Sequence, residues 1–129
     1  RGLLGTVMSR LTGAPGAWNL PGGGLDAGEE PTVGLLREVH EETGQQVVPG
    51  RLLTLQSDHW IGRAPNGGLE DYHALRIIYS ATCEKPSSPR VHDLGGSTAR
   101  ADWVPVKSWR RIPWTRAARQ VLSQHLPSR

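Results

Sequence analysis

The segment REVHEETG, from Arg37 to Gly44, constrains the fold of this chain more than any other. Helical spacing of its apolar residues and a glycine at its end predict a helix over Pro31–Thr43. In that helix Glu38, Glu41 and Glu42 occupy positions i, i+3 and i+4 and therefore share one face. Like charges at this spacing repel each other by roughly 0.2–0.5 kcal/mol per pair. We therefore expect a cation to bind against this face.

Carboxylate oxygens are hard ligands that suit Mg²⁺ and also Mn²⁺. The three glutamates of this face are therefore predicted to be metal ligands. We expect the face to be exposed, because Leu35, Leu36 and Val39 form an apolar stripe on the opposite side that should be buried.

The helix belongs to a longer pattern with fixed spacing. Five residues separate Gly23 from Glu29, and seven more separate Glu29 from Arg37. The rest of the pattern is Arg37-Glu38, Val39, Glu41-Glu42 and Gly44. This arrangement resembles the Nudix box, the signature of the Nudix hydrolase superfamily. The chain departs from it at the last position, where Gln45 replaces an aliphatic residue and is expected to loosen a small core contact.

Other parts of the chain carry weaker resemblance to the same family. They are Trp18–Gly24, Asp58–Ile61, Gly95–Thr98 and Asp102–Pro105. The resemblance implies an α/β fold, an α/β/α sandwich with a mixed β-sheet. We expect residues 1–129 to form a single domain, and we expect a further family strand before Arg1.

The order of the expected elements agrees with that fold class. Strands are predicted at Leu3–Met8, Trp18–Leu20, Val47–Asp58 with a break near Pro49–Gly50, Asp71–Cys83 and Ala101–Val106. A second helix is predicted from Trp114 to His125, stopped by Pro127. Hairpins rather than regular βαβ units favour a mixed sheet between helices.

The resemblance implies hydrolysis of a pyrophosphate bond in a nucleoside diphosphate linked to another moiety, with Mg²⁺ or Mn²⁺ as cofactor. Nucleoside triphosphates, ADP-ribose and sugar nucleotides all remain open as substrates. It implies Glu38 and Glu42 as the best pair of metal ligands, with Glu41 close behind. We assign catalytic roles to Glu41 and Arg37, because a guanidinium fork binds carboxylates in two places and orients them.

Four residues are candidates for contact with the substrate. Gly23 and Gly24 are expected to present backbone N–H groups to a phosphate, although turn formation explains them equally well. Trp60 and Tyr72 are expected to stack on a nucleobase, with core or rim packing as the alternative.

The general base is left open among Glu70, Asp71 and Asp93. Asp93 lies in Lys85–Thr98, a polar segment rich in Pro, Ser and Gly. We expect this segment to be a mobile loop near the open side of the site.

The composition is that of a globular domain, with 36% hydrophobic and 21% charged residues in 129 positions. No apolar run has the length of a membrane span. The single cysteine, Cys83, excludes an internal disulfide and favours a reducing compartment, so we expect a cytoplasmic protein.

The net charge is +3, and the last third of the chain is rich in arginine. These arginines are Arg100, Arg110, Arg111, Arg116, Arg119 and Arg129. A solvated basic surface is the preferred explanation, so we expect a small nucleotide as partner rather than nucleic acid or a membrane. Two alternatives remain: an RNA 5′-end pyrophosphohydrolase and a non-catalytic nucleotide-binding regulator. The oligomeric state, including a homodimer, is left open.

Overall fold

The structure is a computed structural model that describes residues 2–126. Its elements in chain order are β1 (Gly2–Met8), β2 (Trp18–Asn19), α1 (Pro31–Thr43), β3 (Val48–Arg63), β4 (Leu69–Thr82), β5 (Thr98–Pro105), a 3-10 helix (Val106–Arg111) and α2 (Arg116–His125). The chain divides into two compact units. The main unit comprises the described parts of residues 1–48 and 83–129, and the hairpin unit comprises Pro49–Thr82.

The main unit is built on a three-stranded sheet in the order β2-β1-β5. β1 pairs antiparallel with both neighbours, and an isolated parallel bridge joins Trp18 to Trp114. In the β1–β5 register Leu3 lies opposite Val104, and Leu4 lies opposite Trp103. Directly paired residues share a face, so these two pairs lie on opposite faces of the sheet.

The core of the main unit lies where the sheet meets α2. Its buried members are Val104, Trp109, Trp114, Ala118 and Leu122, with Leu3, Trp18 and Leu20 packed against them. The indole N–H of Trp114 donates to the carbonyl of Trp109 over 2.8 Å, so burial leaves that donor satisfied. This contact fixes the 3-10 helix to the segment that leads into α2.

Helix α1 has the predicted bounds, and it lies against β5. Pro31 opens it, where a missing N–H costs nothing. Gly44 ends it with φ 72°, a left-handed conformation that a side chain would strain. The Gly44 N–H donates to the His40 carbonyl and closes the last turn.

The buried face of α1 differs from the predicted one. Val39 is buried, as predicted, and Leu35 is half-buried. Leu36 is exposed and Glu42 is buried, so the prediction is wrong for these two residues. Gly34 has no side chain, and this lets Leu25 and Glu29 of the segment before the helix approach this turn closely. A Cβ at Gly34 would lie 2.4 Å from the Leu25 side chain.

The hairpin unit consists of β3 and β4, joined by residues 64–68. The Ala64 N–H donates to the Gly68 carbonyl over 2.8 Å and closes the connecting turn. β3 is a single strand that passes through Pro49–Gly50, so the predicted break there is wrong. The hydroxyl of Ser80 explains the continuity, because it accepts the N–H of Arg51 at 3.0 Å and holds the two strands together beside the glycine.

Several further boundaries differ from those predicted. β3 ends at Arg63 rather than at residue 58, β4 begins at Leu69 rather than at residue 71, β5 begins at Thr98 rather than at residue 101, and α2 begins at Arg116 rather than at residue 114. The segment Val106–Arg111 forms a 3-10 helix that was not predicted. The proposed stop at Pro127 lies outside the described residues. No helix within residues 2–126 is long and apolar enough to cross a membrane.

We predict that Thr115 stabilises the main unit as the N-cap of α2. Its hydroxyl accepts the Ala118 N–H at 3.3 Å and contacts the Asn19 side chain at 3.2 Å. Thr115→Ala should lower the free energy of unfolding by about 1 kcal/mol, because a helix donor loses its acceptor. Thr115→Ser, which keeps the hydroxyl, is the control. Equal urea midpoints for the alanine variant and the wild type would contradict the capping role.

Candidate active site

Arg37 organises the acidic residues of α1. Its Nε and Nη2 donate to the two carboxylate oxygens of Glu29 at 2.8 and 2.9 Å. Its Nη1 donates to Glu38 at 2.8 Å and to Glu41 at 3.3 Å. Nη2 also donates to the Gly24 carbonyl at 2.9 Å. One guanidinium therefore joins the glycine-rich loop, a glutamate two positions before the helix and two helix glutamates.

Charge and hydrogen bonding shift the pKa of both main partners. The hydrogen bond from Arg37, followed by the backbone N–H of Asp26, lowers the pKa of Glu29 to about 2. The hydrogen bonds to Glu29 and Glu38 raise the pKa of Arg37 above its ordinary value. Both groups are therefore charged at neutral pH.

A cavity of about 180 Å³ lies beside this cluster in the main unit. It is lined by Gly22, Gly23, Gly24, Glu38, Glu42, Asp93, Ser97 and Thr98. The absence of a side chain at Gly23 is required, because a Cβ there would lie 2.5 Å from the Glu38 carboxylate. The glycine loop thus lets the backbone approach the acidic end of the cavity.

Glu42 is the glutamate with the least compensated charge. Only 7% of it is exposed, and its carboxylate accepts the Gly22 N–H at 3.3 Å. Burial, together with the neighbouring carboxylates of Glu38 and Glu41, raises the pKa of Glu42 to about 8, against the opposing effect of the Gly22 N–H. A cation in the cavity would relieve this repulsion.

The segment 83–97 is a loop, as predicted, and it reaches the cavity through Asp93 and Ser97. It is fastened to the end of α1 by three backbone hydrogen bonds. The N–H of Arg90 donates to the Thr43 carbonyl, and those of His92 and Asp93 donate to the Glu41 carbonyl. These bonds give no support to the expected mobility of residues 90–93.

Gln45 does not loosen the core, so that expectation is wrong. Only 2% of Gln45 is exposed, and its amide is hydrogen-bonded on both sides. Nε2 donates to the carbonyl of Ser87 at 3.1 Å and to that of Thr43 at 3.3 Å, while Oε1 accepts the Ser87 N–H at 3.0 Å. The polar side chain fits a site for an aliphatic one because the loop supplies a partner for each polar atom.

The remaining candidates lie in the hairpin unit. Trp60 and Tyr72 stack on each other, with ring centroids 5.5 Å apart and planes 15° from parallel. Each therefore has one face already occupied by the other, and stacking on a nucleobase stays a prediction.

The candidate general bases differ in their surroundings. Asp71 pairs with His59, and Glu70 is exposed. Of the three candidate general bases, only Asp93 lines the cavity of the main unit.

The donors at the cavity fit a divalent cation in their chemistry. Glu38 and Glu42 supply hard oxygen ligands. The negative charge of Glu42 is unfavourable in its buried site, as the raised pKa shows, and a cation nearby would stabilise it. Within residues 2–126, no three acidic, histidine or cysteine side chains converge in the geometry of a formed metal site. Arg37 explains this, since it draws Glu38 and Glu41 toward itself. The Glu41 carboxylate thus contacts Arg37, and Glu41 does not line the cavity.

We predict that Glu42→Gln stabilises the metal-free protein at high pH. A folded-state pKa of about 8, above the ordinary 4.5, means that ionising Glu42 costs stability progressively as the pH rises from 4.5 through 8. Gln resembles the protonated acid and escapes this cost. Thermal unfolding in chelator should give similar Tm values at pH 5 and a higher Tm for the variant at pH 9.

The control for that experiment is Glu30→Gln, which removes an exposed carboxylate just before α1. It should leave the pH dependence of Tm unchanged. A wild-type protein that is more stable than Glu42→Gln at pH 9 in chelator would refute the repulsion described above.

We predict that Arg37→Lys lowers the Tm at neutral pH, because one ammonium group cannot replace a fork that bonds to Glu29, Glu38 and Gly24 together. The low pKa of Glu29, about 2, means that its ion pair stabilises the fold above pH 4.5 and is lost as the pH falls toward 2. The difference in Tm should therefore shrink over that range. Arg116→Lys, at an exposed position of α2, is the control. A difference that is constant from pH 7 to pH 2 would contradict this assignment.

Comparison with known proteins agrees with the sequence pattern. The model of the NUDIX domain family matches residues 6–125. An RNA pyrophosphohydrolase from Brucella anthropi is 40% identical over 107 residues, which cover 74% of this chain and 60% of that protein. The chain thus spans about 60% of the length of this curated relative.

Two solved structures share the fold. A NUDIX hydrolase from Nitrosomonas europaea has a TM-score of 0.68 at 26% identity, covering 96% of this chain and 79% of that one. A MutT NUDIX hydrolase from Burkholderia pseudomallei has a TM-score of 0.61 at 26% identity, covering 96% and 88%. The predicted α/β fold class and the resemblance are confirmed. The chain belongs to the Nudix family.

Proposed function

We propose that this chain is a Mg²⁺-dependent pyrophosphohydrolase that acts on a nucleoside diphosphate linked to another moiety. The observation that carries the proposal is the cavity in which Glu38, Glu42 and Asp93 meet the backbone of Gly22–Gly24. Nudix hydrolases generally use divalent metal ions. An acidic pocket beside an exposed glycine loop suits a metal-neutralised polyphosphate better than a free anion.

In the proposed reaction water attacks one phosphorus of the pyrophosphate, and the bond from that phosphorus to the bridging oxygen breaks. Two phosphorylated products leave. One proton of the water passes to a basic side chain, and the other stays on the new P–O–H group until the product phosphate ionises. A bound divalent ion would neutralise the phosphate charge and acidify the attacking water. Glu38 and Glu42 are the residues that would hold it. Mg²⁺ is preferred because both are hard oxygen donors, and Mn²⁺ is an acceptable substitute.

The other acidic residues have separate roles in this proposal. We assign to Asp93 the acceptance of the proton of the attacking water, a role supported by its position in the lining of the same cavity. Arg37 orients Glu38 and Glu41, and Glu41 would be a further ligand for that ion. Gly23 and Gly24 leave room for the phosphates to approach the backbone.

A second candidate is pyrophosphate removal from the 5′ end of RNA. The Brucella anthropi relative carries that activity in its name, and 40% identity over most of this chain supports the comparison. The arginines of the 3-10 helix and α2 also supply a basic surface, with Arg110, Arg111 and Arg116 exposed. The chemistry is the same, so substrate size separates the two candidates.

The extent of the domain and its compartment are also proposals. The family model spans both units, which supports one Nudix domain comprising the main unit and the hairpin unit. The lone Cys83 favours a reducing compartment, and we propose the cytoplasm.

We predict turnover with Mg²⁺ that depends on Glu38. A panel of nucleoside triphosphates, ADP-ribose, sugar nucleotides and a 5′-triphosphorylated RNA oligonucleotide should include at least one substrate, with products resolved by ion-exchange chromatography. Glu38→Gln should lower kcat by about 100-fold or more, because it removes a group that neutralises developing charge through the metal.

The matched control is Glu84→Gln, an exposed carboxylate in the 83–97 loop that does not line the cavity. Turnover of a small nucleotide but not of RNA selects the first candidate, and the reverse selects the second. Tight nucleotide binding without turnover of any member of the panel would reject both and indicate a binding regulator.

A further inference from the structure

The backbone of Ser87 is hydrogen-bonded to two side chains from different parts of the main unit. Its carbonyl accepts Gln45 Nε2 at 3.1 Å and Trp103 Nε1 at 2.9 Å, and its N–H donates to Gln45 Oε1 at 3.0 Å. Gln45 follows α1, and Trp103 lies on β5. The start of the loop is therefore bound both to the end of the helix and to the sheet.

The same loop then satisfies the end of α1. The carbonyls of the last helical turn have no partner within the helix and need one from elsewhere. The loop N–H groups of Arg90, His92 and Asp93 supply it, at 2.7–3.0 Å from the carbonyls of Thr43 and Glu41. Gln45 Nε2 adds a further donor to Thr43 at 3.3 Å. Helix end and loop thus form one hydrogen-bonded unit.

This unit fixes the backbone of Asp93 beside the end of α1. Asp93 donates its backbone N–H to the carbonyl of Glu41, which is one residue from Glu42, and Asp93 lines the cavity together with Glu38 and Glu42. An aliphatic residue at position 45 has no polar atom for Ser87. In this chain the glutamine therefore provides hydrogen bonds, instead of an apolar contact, between the end of the helix and the loop that carries Asp93.

We propose that Gln45 is a positioning residue for the reaction, holding the loop through Ser87 so that Asp93 faces Glu38 and Glu42. The proposal rests on the proposed function. Gln45 does not line the cavity and acts only through the loop. Its contribution is to keep Asp93 at the distance from the other carboxylates that the reaction needs, where a displacement of about 1 Å costs up to 100-fold in rate.

The test compares Gln45→Met with Gln46→Met. Methionine has nearly the length of glutamine but lacks its donors and acceptor, and Gln46 is the exposed neighbour. The exchange rates of the backbone amides of Arg90, His92 and Asp93 in the loop are measured by NMR, without metal. Exchange there should become about tenfold faster in Gln45→Met only, while Val104 and Leu122 in the core stay protected.

Steady-state kinetics with Mg²⁺ then separate positioning from simple support of the fold. Gln45→Met should lower kcat by about tenfold or more and change KM by less than about threefold, because the chemical geometry rather than nucleotide binding is altered. Asp93→Asn should lower kcat as well. In the double variant the two losses should not add, since both act through one carboxylate.

Each outcome decides the proposal. Faster exchange with unchanged kcat, unchanged exchange, or fully additive losses would overturn it. If Gln45→Met fails to fold, Trp103→Phe, which removes the other donor to Ser87, should show the same changes in smaller size, and wild-type behaviour of that variant would also overturn it. A wild-type protein that hydrolyses no nucleotide refutes the proposed function itself, whereas an active wild type with a normal Gln45→Met refutes only the positioning role.

Discussion

The bonding of Arg37 is the interaction on which the rest of the site depends. One guanidinium contacts Glu29, Glu38, Glu41 and the Gly24 carbonyl, and so fixes the glycine loop against α1. Without that fork, three carboxylates and a loop with little side-chain contact would have no common partner. Because the guanidinium stays charged and planar, it sets distances as well as charge.

The same interaction leaves one carboxylate without compensation. Arg37 bonds to three glutamates, while buried Glu42 accepts the Gly22 N–H and lies beside Glu38, which is also negatively charged. A protein designed only for stability would not keep such a group at a cavity. A cation at the proposed site would gain affinity from the relief of this repulsion. The cost in the free protein and the proposed binding of the ion would then have the same origin.

Local rules predicted the parts of the fold that depend on neighbours in sequence. Pro31 and Gly44 fixed both ends of α1, and spacing alone brought Glu38 and Glu42 to one side of it. Residues whose environment is made by distant segments were predicted wrongly or not at all. Leu36 is exposed, and Gln45 is satisfied by Ser87 forty-two positions away. Asp93 was one of three candidate bases, and the sequence did not predict its backbone bond to Glu41 beside the cavity. Periodicity carries no information about such partners, so only the folded chain identifies them.

Direct titration of Mn²⁺ in the absence of nucleotide tests the central claim, that the Glu38–Glu42 end of the cavity is a cation site held open by Arg37. Electron paramagnetic resonance would count free and bound ion for the wild type, Glu42→Gln and Glu30→Gln. The account predicts one saturable site in the wild type and in Glu30→Gln, with affinity lowered by about tenfold or more in Glu42→Gln. Equal affinity for all three proteins would contradict it.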